Sequence, residues 1–338
     1  MNKSTKILAL VAVLLGLAYW MLSKQPWRTV ERGAADFSIS DTNLVTKIFM
    51  ANKQGQTVLL ERTPQNQWLV NHSIVADEFK IKLLLGTLHD MQIQMPIPPS
   101  MHNTAIGILA TQGIKTEIYA GDKILKTIYV GSETPDKTGT FMMLEGDEKT
   151  YSIHIPGFVG FLTPRFFLSE IKWRSKLIYD VKAEDIAELQ IQYPTNPEES
   201  FTYNAASYLP GHTILNNAGN PMAVDTMQVH LLLHSFEQKY AEGFYDDSTY
   251  TKTERDSLFK LTPYCSIRLK QKNGAELNMA LYNKPIGDKT KDRYDEKGNE
   301  RTIDPEKFYA KLSTIEQIAS VQEYAFRRIL VKASMLKK

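Results

Sequence analysis

Two histidines and a glutamate with helical spacing come nearest, in this sequence, to a catalytic or metal-binding pattern. His230 and His234 are four residues apart, and Glu237 follows three residues later. On one continuous helix the three side chains could share a face, as in helical zinc sites. In zinc proteases the glutamate directly follows the first histidine, whereas Leu231 stands there in this sequence. The pattern therefore supports a metal-dependent hydrolase only as an alternative function.

The apolar residues of the same segment indicate which of its sides is buried. An apolar stripe at helical spacing is formed by Val229, Leu232, Leu233, Phe236 and Tyr240. This stripe leaves the two histidines and the glutamate on the more solvated face of the helix. We therefore predict surface residues at these positions, and no catalytic residue, metal or cofactor in the chain.

Other catalytic motifs are missing or too common to be informative. The Ser-x-x-Lys pattern of penicillin-recognising enzymes occurs at 169–172, 257–260 and 334–337, but the Ser-Asp-Asn motif that accompanies it in those enzymes does not occur. The sequence has no Gly-x-Ser-x-Gly elbow, no Gly-x4-Gly-Lys phosphate loop and no Gly-x-Gly-x-x-Gly turn. Serine-hydrolase and nucleotide-binding functions therefore lack their usual chemical groups.

One segment without catalytic residues is unusual in composition. Residues 154–162 read His-Ile-Pro-Gly-Phe-Val-Gly-Phe-Leu and follow a predicted strand. Aromatic side chains on such a turn can supply apolar contact area to a partner. We predict a partner-binding loop to which five residues contribute: His154, Pro156, Gly157, Phe158 and Phe161. The alternative is a buried turn whose phenylalanines lie in the core.

Charge and cysteine content exclude further functional classes. With 40 basic and 38 acidic residues the formal net charge is +2, and no long block of one sign occurs. The clustered basic face of a nucleic-acid-binding protein is therefore missing, and no nucleic-acid partner is expected. Cys265 is the single cysteine, which excludes an internal disulfide and a multi-cysteine metal site. Its alternating apolar surroundings predict a small core residue.

An apolar run near the N-terminus predicts a membrane anchor. Residues 7–22 are uninterrupted apolar residues between Lys6 and Lys24. As a helix this run would cover about 24 Å, which spans a bilayer core if the flanking lysines extend toward the headgroups. We predict a single-pass inner (cytoplasmic) membrane protein with its C-terminal region in the periplasm. Its N-terminal segments are a cytoplasmic tail at 1–6, a transmembrane anchor at 7–23 and a linker at 24–40.

The alternative for this run is a cleaved signal peptide. Gly16-Leu17-Ala18 would then form the small-x-small cleavage site. Cleavage would leave the apolar residues 19–22 at the mature N-terminus, which suits the outer end of a spanning helix better. Both interpretations export the rest of the chain.

After the linker the pattern changes to strands and turns with one amphipathic helix. Strands are predicted in the first half at 46–51, 57–62, 67–70, 114–130, 140–144 and 151–155. Asp77 is a predicted N-cap of the helix, whose apolar residues recur at helical spacing. A proline-rich linker at 95–99 is predicted to end this helix. Trp173 is expected to pack between two domains.

The second half of the sequence repeats this plan. Residues 75–85 align without a gap on 223–233, so that Asp77 corresponds to Asp225 at an offset of 148 residues. Strands around the second helix are predicted at 186–193, 200–203 and 266–282. A unit of this length is too long for a solenoid repeat. We therefore predict an α+β fold of two tandem, duplicated domains with antiparallel sheets behind the N-terminal transmembrane helix, at 41–180 and 181–338.

Several of these segments together resemble a known family. They are the apolar run, the start from Asp41-Thr42 to Ile48-Phe49, the turn at Gly55 with 58–62, Trp68-Leu69-Val70, 117–131, and above all 154–158 followed by Trp173-Arg174. Over residues 1–180 the chain resembles the domain-of-unknown-function family numbered 4340, with members in Bacteroidota-type Gram-negative bacteria. The resemblance implies an inner-membrane anchor, a periplasmic body and a place beside ABC exporter and gliding-type transport components. It implies no catalytic residue.

These observations favour a non-enzymatic protein. We predict a membrane-anchored extracytoplasmic protein that is a binding or scaffold component of an envelope or transporter complex. Its expected partners are the membrane, through the N-terminal helix, and an envelope or ABC-transporter-type protein. The alternative is an envelope metal-dependent hydrolase that uses His230, His234 and Glu237.

Overall fold

The computed structural model of the protein describes residues 36–205, 214–288 and 290–338. The predicted cytoplasmic tail, transmembrane anchor and most of the predicted linker, at 1–35, lie outside these described residues. Within the described part, no helix is both long enough and apolar enough to cross a membrane.

The chain divides into two compact units. The division falls between Ser175 and Lys176. The sequence-based boundary after residue 180 lies slightly beyond this division. Each unit is built around one large antiparallel sheet, so the predicted α+β class with antiparallel sheets is confirmed.

The first unit contains a nine-stranded sheet. Its strands in chain order are β1 (Lys47–Ala51), β2 (Thr57–Arg62), β3 (Trp68–Val70), β4 (Ile74–Val75), β5 (Gln92–Pro96), β6 (Ile114–Ala120), β7 (Lys123–Glu133), β8 (Thr140–Leu144) and β9 (Tyr151–His154). Across the sheet their order is β4-β3-β2-β1-β6-β7-β8-β9-β5. The helices described in this unit are α1 (Glu78–Asp90), α2 (Pro99–Gln112) and α3 (Glu170–Trp173).

Helix α1 forms where the sequence predicts it. The Asp77 side chain accepts a hydrogen bond from the backbone N–H of Lys80 and so caps the first turn. The helix buries Ile81, Leu84 and Leu88 in the main core of the first unit. This core is dominated by aliphatic side chains of the strands, and burial of their apolar area provides its main stabilisation.

The predicted proline-rich linker is wrong. Met95 and Pro96 belong to the edge strand β5, and Pro99 is the first residue of α2. Proline is tolerated at both places, because an edge strand and the first turn of a helix do not require its missing N–H. Helix α1 ends earlier, at Asp90.

Trp173 lies in the core of the first unit. From the sequence we expected it to pack between two domains. Its side chain is fully buried in the same cluster as α1. Its indole Nε1–H donates to the carbonyl of Phe167 at 2.8 Å, and the two rings stack with centroids 4.2 Å apart. The indole is therefore satisfied within this unit.

The second unit contains another nine-stranded sheet and a separate strand pair. Its strands are β10 (Leu177–Tyr179), β11 (Ile186–Gln192), β12 (Phe201–Asn204), β13 (Ile214–Asn216), β14 (Pro221–Met222), β15 (Lys239–Tyr240), β16 (Gly243–Phe244), β17 (Cys265–Gln271), β18 (Glu276–Pro285), β19 (Ile303–Leu312) and β20 (Ile315–Gln322). The large sheet has the order β14-β13-β12-β11-β17-β18-β19-β20-β16, and β10 pairs with β15. The helices described here are α4 (Thr226–His234), α5 (Lys252–Leu258), α6 (Glu323–Phe326) and α7 (Ala333–Leu336).

The two large sheets have the same strand order. Strands β11 to β14 take the places of β1 to β4, β17 to β20 those of β6 to β9, and β16 that of β5. Helix α4 follows β14 as α1 follows β4. Asp225 caps α4 by accepting the N–H of Met227 at 2.8 Å, at the position that corresponds to Asp77.

One edge of each sheet is closed by the last residues of its unit. Beside β4, Ala76 forms a bridge with Arg174, and the N–H of Ser175 donates to the carbonyl of Val75 at 2.8 Å. Beside β14, Val224 forms the corresponding bridge with Lys337. These two edges are therefore covered and do not offer a place for an added strand.

Candidate functional site

The structure does not assemble the alternative metal site of His230, His234 and Glu237. Helix α4 ends at His234 and has Ser235 as its C-cap, so Glu237 lies beyond the helix. Nδ1 of His234 is 2.9 Å from Oε1 of Glu237, while both residues and His230 are exposed to solvent. Among the described residues, no three His, Cys, Asp or Glu side chains are arranged to hold a metal ion. The geometry gives a solvent-exposed hydrogen-bonded pair, His234 and Glu237, in place of a zinc site.

The cysteine and the Ser-x-x-Lys segments supply no nucleophilic site either. Cys265 is buried in the core of the second unit, and burial raises the pKa of its thiol to about 12. A thiol with this pKa is not a reactive thiolate at neutral pH. A Lys-Thr-Gly triplet, which also accompanies Ser-x-x-Lys in penicillin-recognising enzymes, occurs at 137–139. It lies in the turn between β7 and β8, where Asp136 accepts hydrogen bonds from Thr134 and Thr138.

The predicted partner-binding loop leaves Phe158 and Val159 at the surface. Phe158 is 39% exposed and Val159 is 91% exposed, and we call these two residues the tip. Pro156 and Gly157 are also exposed, whereas His154 and Phe161 are half-buried. The alternative of a buried turn is therefore wrong for Phe158. Sequence reasoning named this phenylalanine and missed the valine, which is the more exposed of the two.

The base of this loop is fixed to the sheet. The backbone N–H of Leu162 donates to Oγ1 of Thr140 at 2.6 Å, and Oγ1 of Thr163 donates to the carbonyl of Gly131 at 2.7 Å. Leu162 itself is fully buried. These hydrogen bonds attach the C-terminal side of the loop to the sheet and so help to fix the position of the tip.

Arg165 connects the tip to helix α1. Its guanidinium carbon lies 4.5 Å from the ring centroid of Phe158, which is a cation–π distance. Its Nη1–H donates to Oγ1 of Thr87 at 2.8 Å. Burial lowers the pKa of Arg165, and the carboxylate of Asp90 acts in the opposite direction. The arginine remains charged, because its ordinary pKa is far above neutrality.

A row of residues on α1 becomes more exposed with distance from Arg165. Thr87 is 1% exposed, Leu83 is 39% exposed and Phe79 is 74% exposed. These residues are spaced four apart and therefore follow one side of the helix. The Thr87 hydroxyl donates to the carbonyl of Leu83 at 2.7 Å. We call Phe79 and Leu83 the α1 pair; Arg165 connects the helix that carries this pair to the tip.

The second unit has the same arrangement on α4. Met227, Leu231 and Ser235 occupy the positions that correspond to Phe79, Leu83 and Thr87 at the offset of 148 residues. Met227 is 63% exposed, Leu231 is 37% exposed and Ser235 is 6% exposed. The buried hydroxyl again donates to a helix carbonyl, that of Leu232, at 2.6 Å. We call Met227 and Leu231 the α4 pair.

One face of the second sheet carries a groove of about 370 Å³. Gln190, Ser266, Asn278 and Lys311 line it. The one arginine in its lining is engaged with the protein, because Arg268 binds both carboxylate oxygens of Glu276 at 3.0 Å.

Comparison with known proteins identified no relative. No model of a known protein family, no curated protein and no solved structure matches this chain.

Proposed function

We propose that this protein is a membrane-anchored, non-enzymatic binding component of an envelope or transporter complex. In this proposal residues 7–23 form a single-pass anchor in the inner membrane, and the two units lie in the periplasm as tandem, duplicated α+β domains. We propose that the chain is a member of the domain-of-unknown-function family numbered 4340. The partner is an envelope or ABC-transporter-type protein.

The observation that carries the proposal is the exposed apolar pair at equivalent positions of α1 and α4. An isolated exposed apolar side chain is ordinary, but two side chains one turn apart form a helical contact face. Phe79 and Leu83 have this arrangement in the first unit, and Met227 and Leu231 have it in the second. Such a face matches the apolar side of an amphipathic helix. We therefore propose one amphipathic helix of the partner on each unit.

Duplication is supported by features that do not depend on the helix faces. The shared strand order, the aspartate caps at Asp77 and Asp225, and the bridges that close β4 and β14 recur together. Agreement of order, capping and edge closure is expected if one unit is a copy of the other. The recurring pairs then represent one contact face present twice.

The closed sheet edges favour side-chain contacts over strand addition. Residues 174–175 cover β4, and Lys337 lies beside β14. At the other edge of the first sheet, β5 contains Pro96 and an irregular register with β9. Proline and bulges are the usual means by which sheet edges avoid further pairing. We therefore assign the partner to the helix faces and the tip.

A copurification experiment tests this proposal. Full-length protein is cross-linked in its native membrane, purified, and compared with two variants, F79S/L83S and M227S/L231S. A partner that depends on both pairs supports the proposal. Met95→Ser and Met335→Ser are matched controls, because these exposed residues (49% and 58%) lie outside the pairs. Recovery of the same proteins from wild type and both double variants would contradict it.

A separate measurement addresses the metal-dependent alternative. Protein purified without chelator is analysed for zinc by elemental analysis, beside the variant H230A/H234A. We expect no stoichiometric zinc in either protein, because the described residues do not form a three-ligand group. Zinc bound by wild type and lost in the variant would replace the binding proposal with the hydrolase.

A further inference from the structure

We propose that the end of the first unit at which the chain arrives from its anchor rests on the lipid surface, through Leu44 and Ile124. These residues are 57% and 50% exposed. This inference rests on the proposed function, because it uses the N-terminal anchor. It adds a second membrane contact, which the folded unit itself makes. This contact would orient the first unit relative to the membrane.

The first described residues are bound firmly to this unit. Phe37 and Ile39 are 2% and 7% exposed and belong to its main core. Lys126 donates to the carbonyl oxygens of Asp36 and Ser38. The position of Asp36 is therefore fixed next to Lys126, near the beginning of β7.

Leu44 and Ile124 lie at this same end of the sheet. Ile124 is two residues from Lys126 and pairs with Tyr119 of β6. The carbonyl of Tyr119 accepts the N–H of Thr46 at 2.9 Å, which places the 44–46 segment beside the same strand. The two exposed side chains therefore lie near the turn of the β6–β7 hairpin, and Asp36 lies beside Lys126 of the same hairpin.

The anchor keeps this end close to the bilayer. Between the predicted anchor and Asp36 there are only the residues 24–35, which span at most about 40 Å even when fully extended. Attachment at the membrane raises the local concentration of the unit, so weak apolar contacts become effective. Exposed leucine and isoleucine side chains next to lysines suit the boundary between acyl chains and headgroups.

The tip lies toward the opposite end of the sheet. Thr163, at the base of its loop, binds the carbonyl of Gly131 on β7. Gly131 is seven residues from Ile124 along β7, or about 24 Å in an extended strand. Contact of Leu44 and Ile124 with lipid therefore directs Phe158 and Val159 away from the membrane.

The test uses a fluorescent label whose emission nitroxide lipids quench. Single cysteines are introduced into the full chain by Leu44→Cys, Ile124→Cys and Val159→Cys, and each is labelled with NBD. Cys265 is fully buried, so labelled wild-type protein provides the background. The proteins are reconstituted into phosphatidylethanolamine and phosphatidylglycerol vesicles, with and without nitroxide-labelled lipid.

We expect nitroxide lipid to lower emission at positions 44 and 124 at least about twofold, because an interfacial residue lies within reach of the spin label. Position 159 should keep its emission. Adding Leu44→Ser should reduce the quenching at 124. Absence of quenching at 44 and 124 in vesicle-bound protein would overturn the lipid contact and leave the anchor intact, and quenching at 159 equal to that at 124 would overturn the orientation. Failure of the full chain to float with vesicles would overturn both this inference and the anchored function.

Discussion

Arg165 and Phe158 are in cation–π contact, with the guanidinium carbon 4.5 Å from the ring centroid. The same arginine donates to the hydroxyl of Thr87 on α1 at 2.8 Å. One side chain therefore holds the tip against the helix that carries the α1 pair. The loop and the helix consequently form one surface, although more than sixty residues separate them in the sequence.

Arg165→Met is expected to destabilise the first unit by about 2 kcal/mol. It removes a cation–π contact and a hydrogen bond from a charged donor, which together are worth this amount in a partly buried site. Amide hydrogen exchange of α1 in native protein measures the effect. Lys82→Met is the control, since Lys82 and Glu78 form a surface ion pair with both side chains largely exposed. It should change stability by less than about 0.5 kcal/mol. Equal effects of the two substitutions would contradict the role given to Arg165.

Gly131→Ala is expected to destabilise the contact between α2 and β7. An added Cβ would lie 3.1 Å from Cδ2 of Leu109 and 3.1 Å from the carbonyl oxygen of Phe141. Overpacking of this kind costs about 1–3 kcal/mol. Gly107→Ala is the matched control within α2, because nothing lies within 4 Å of its added Cβ. In a helix interior this change should stabilise by up to about 1 kcal/mol. Urea unfolding, monitored by hydrogen exchange of the α2 amides, should therefore show that Gly131→Ala lowers the free energy of unfolding and that Gly107→Ala raises it.

The local elements of the fold could be predicted from sequence. Asp77 before an apolar periodicity predicts α1, and Asn273-Gly274 predicts the turn between β17 and β18, where Gly274 has φ of +90°. Pairing between distant strands could not be predicted, because nothing in Lys47 or Tyr119 alone specifies that they face each other. The helix start at Pro99 was missed because proline punctuates both linkers and helix beginnings.

The candidate site was predictable only in part. Phe158 could be named from the unusual composition of residues 154–162 and from the place of this segment after a predicted strand. Leu83 and Leu231 could not, because their exposure depends on what packs against α1 and α4. The clearest available signal was that both helices carry apolar residues outside the core stripe at matching positions. Glu237 was placed on the helix face because its spacing fits, whereas the helix ends at His234.

The Glu276 carboxyl, which is hydrogen-bonded to Arg268, should titrate at a pH far below the usual range for a glutamate. The hydrogen bonds from Arg268 lower the pKa of Glu276 from 4.5 to about 2. Because the folded-state pKa is depressed, the stabilisation is present above the unfolded pKa and is lost as the pH falls from 4.5 toward 2. NMR titration of the side-chain carboxyl should show this. In Arg268→Gln the midpoint should move up toward 4.5, and an unchanged midpoint would refute the assigned cause.

Cys265 should not react in the native protein. Burial raises the pKa of its thiol to about 12, and the side chain is fully enclosed. Thiol reagents at pH 8 should therefore modify it only after unfolding. Mass spectrometry after a timed exposure to iodoacetamide, with and without urea, measures the difference. Rapid native modification would mean that the core around β17 opens readily.

Photo-cross-linking from α1 and α4 tests the central claim most directly. A photoreactive phenylalanine analogue replaces Leu83 or Leu231 in the full chain, and the native membrane is irradiated before purification and mass spectrometry. The same analogue at Lys252, an exposed position of α5, is the control. We predict that positions 83 and 231 capture the same envelope protein and that position 252 does not. Adducts at 83 and 231 that are no more abundant than at 252 would contradict a repeated partner-binding face.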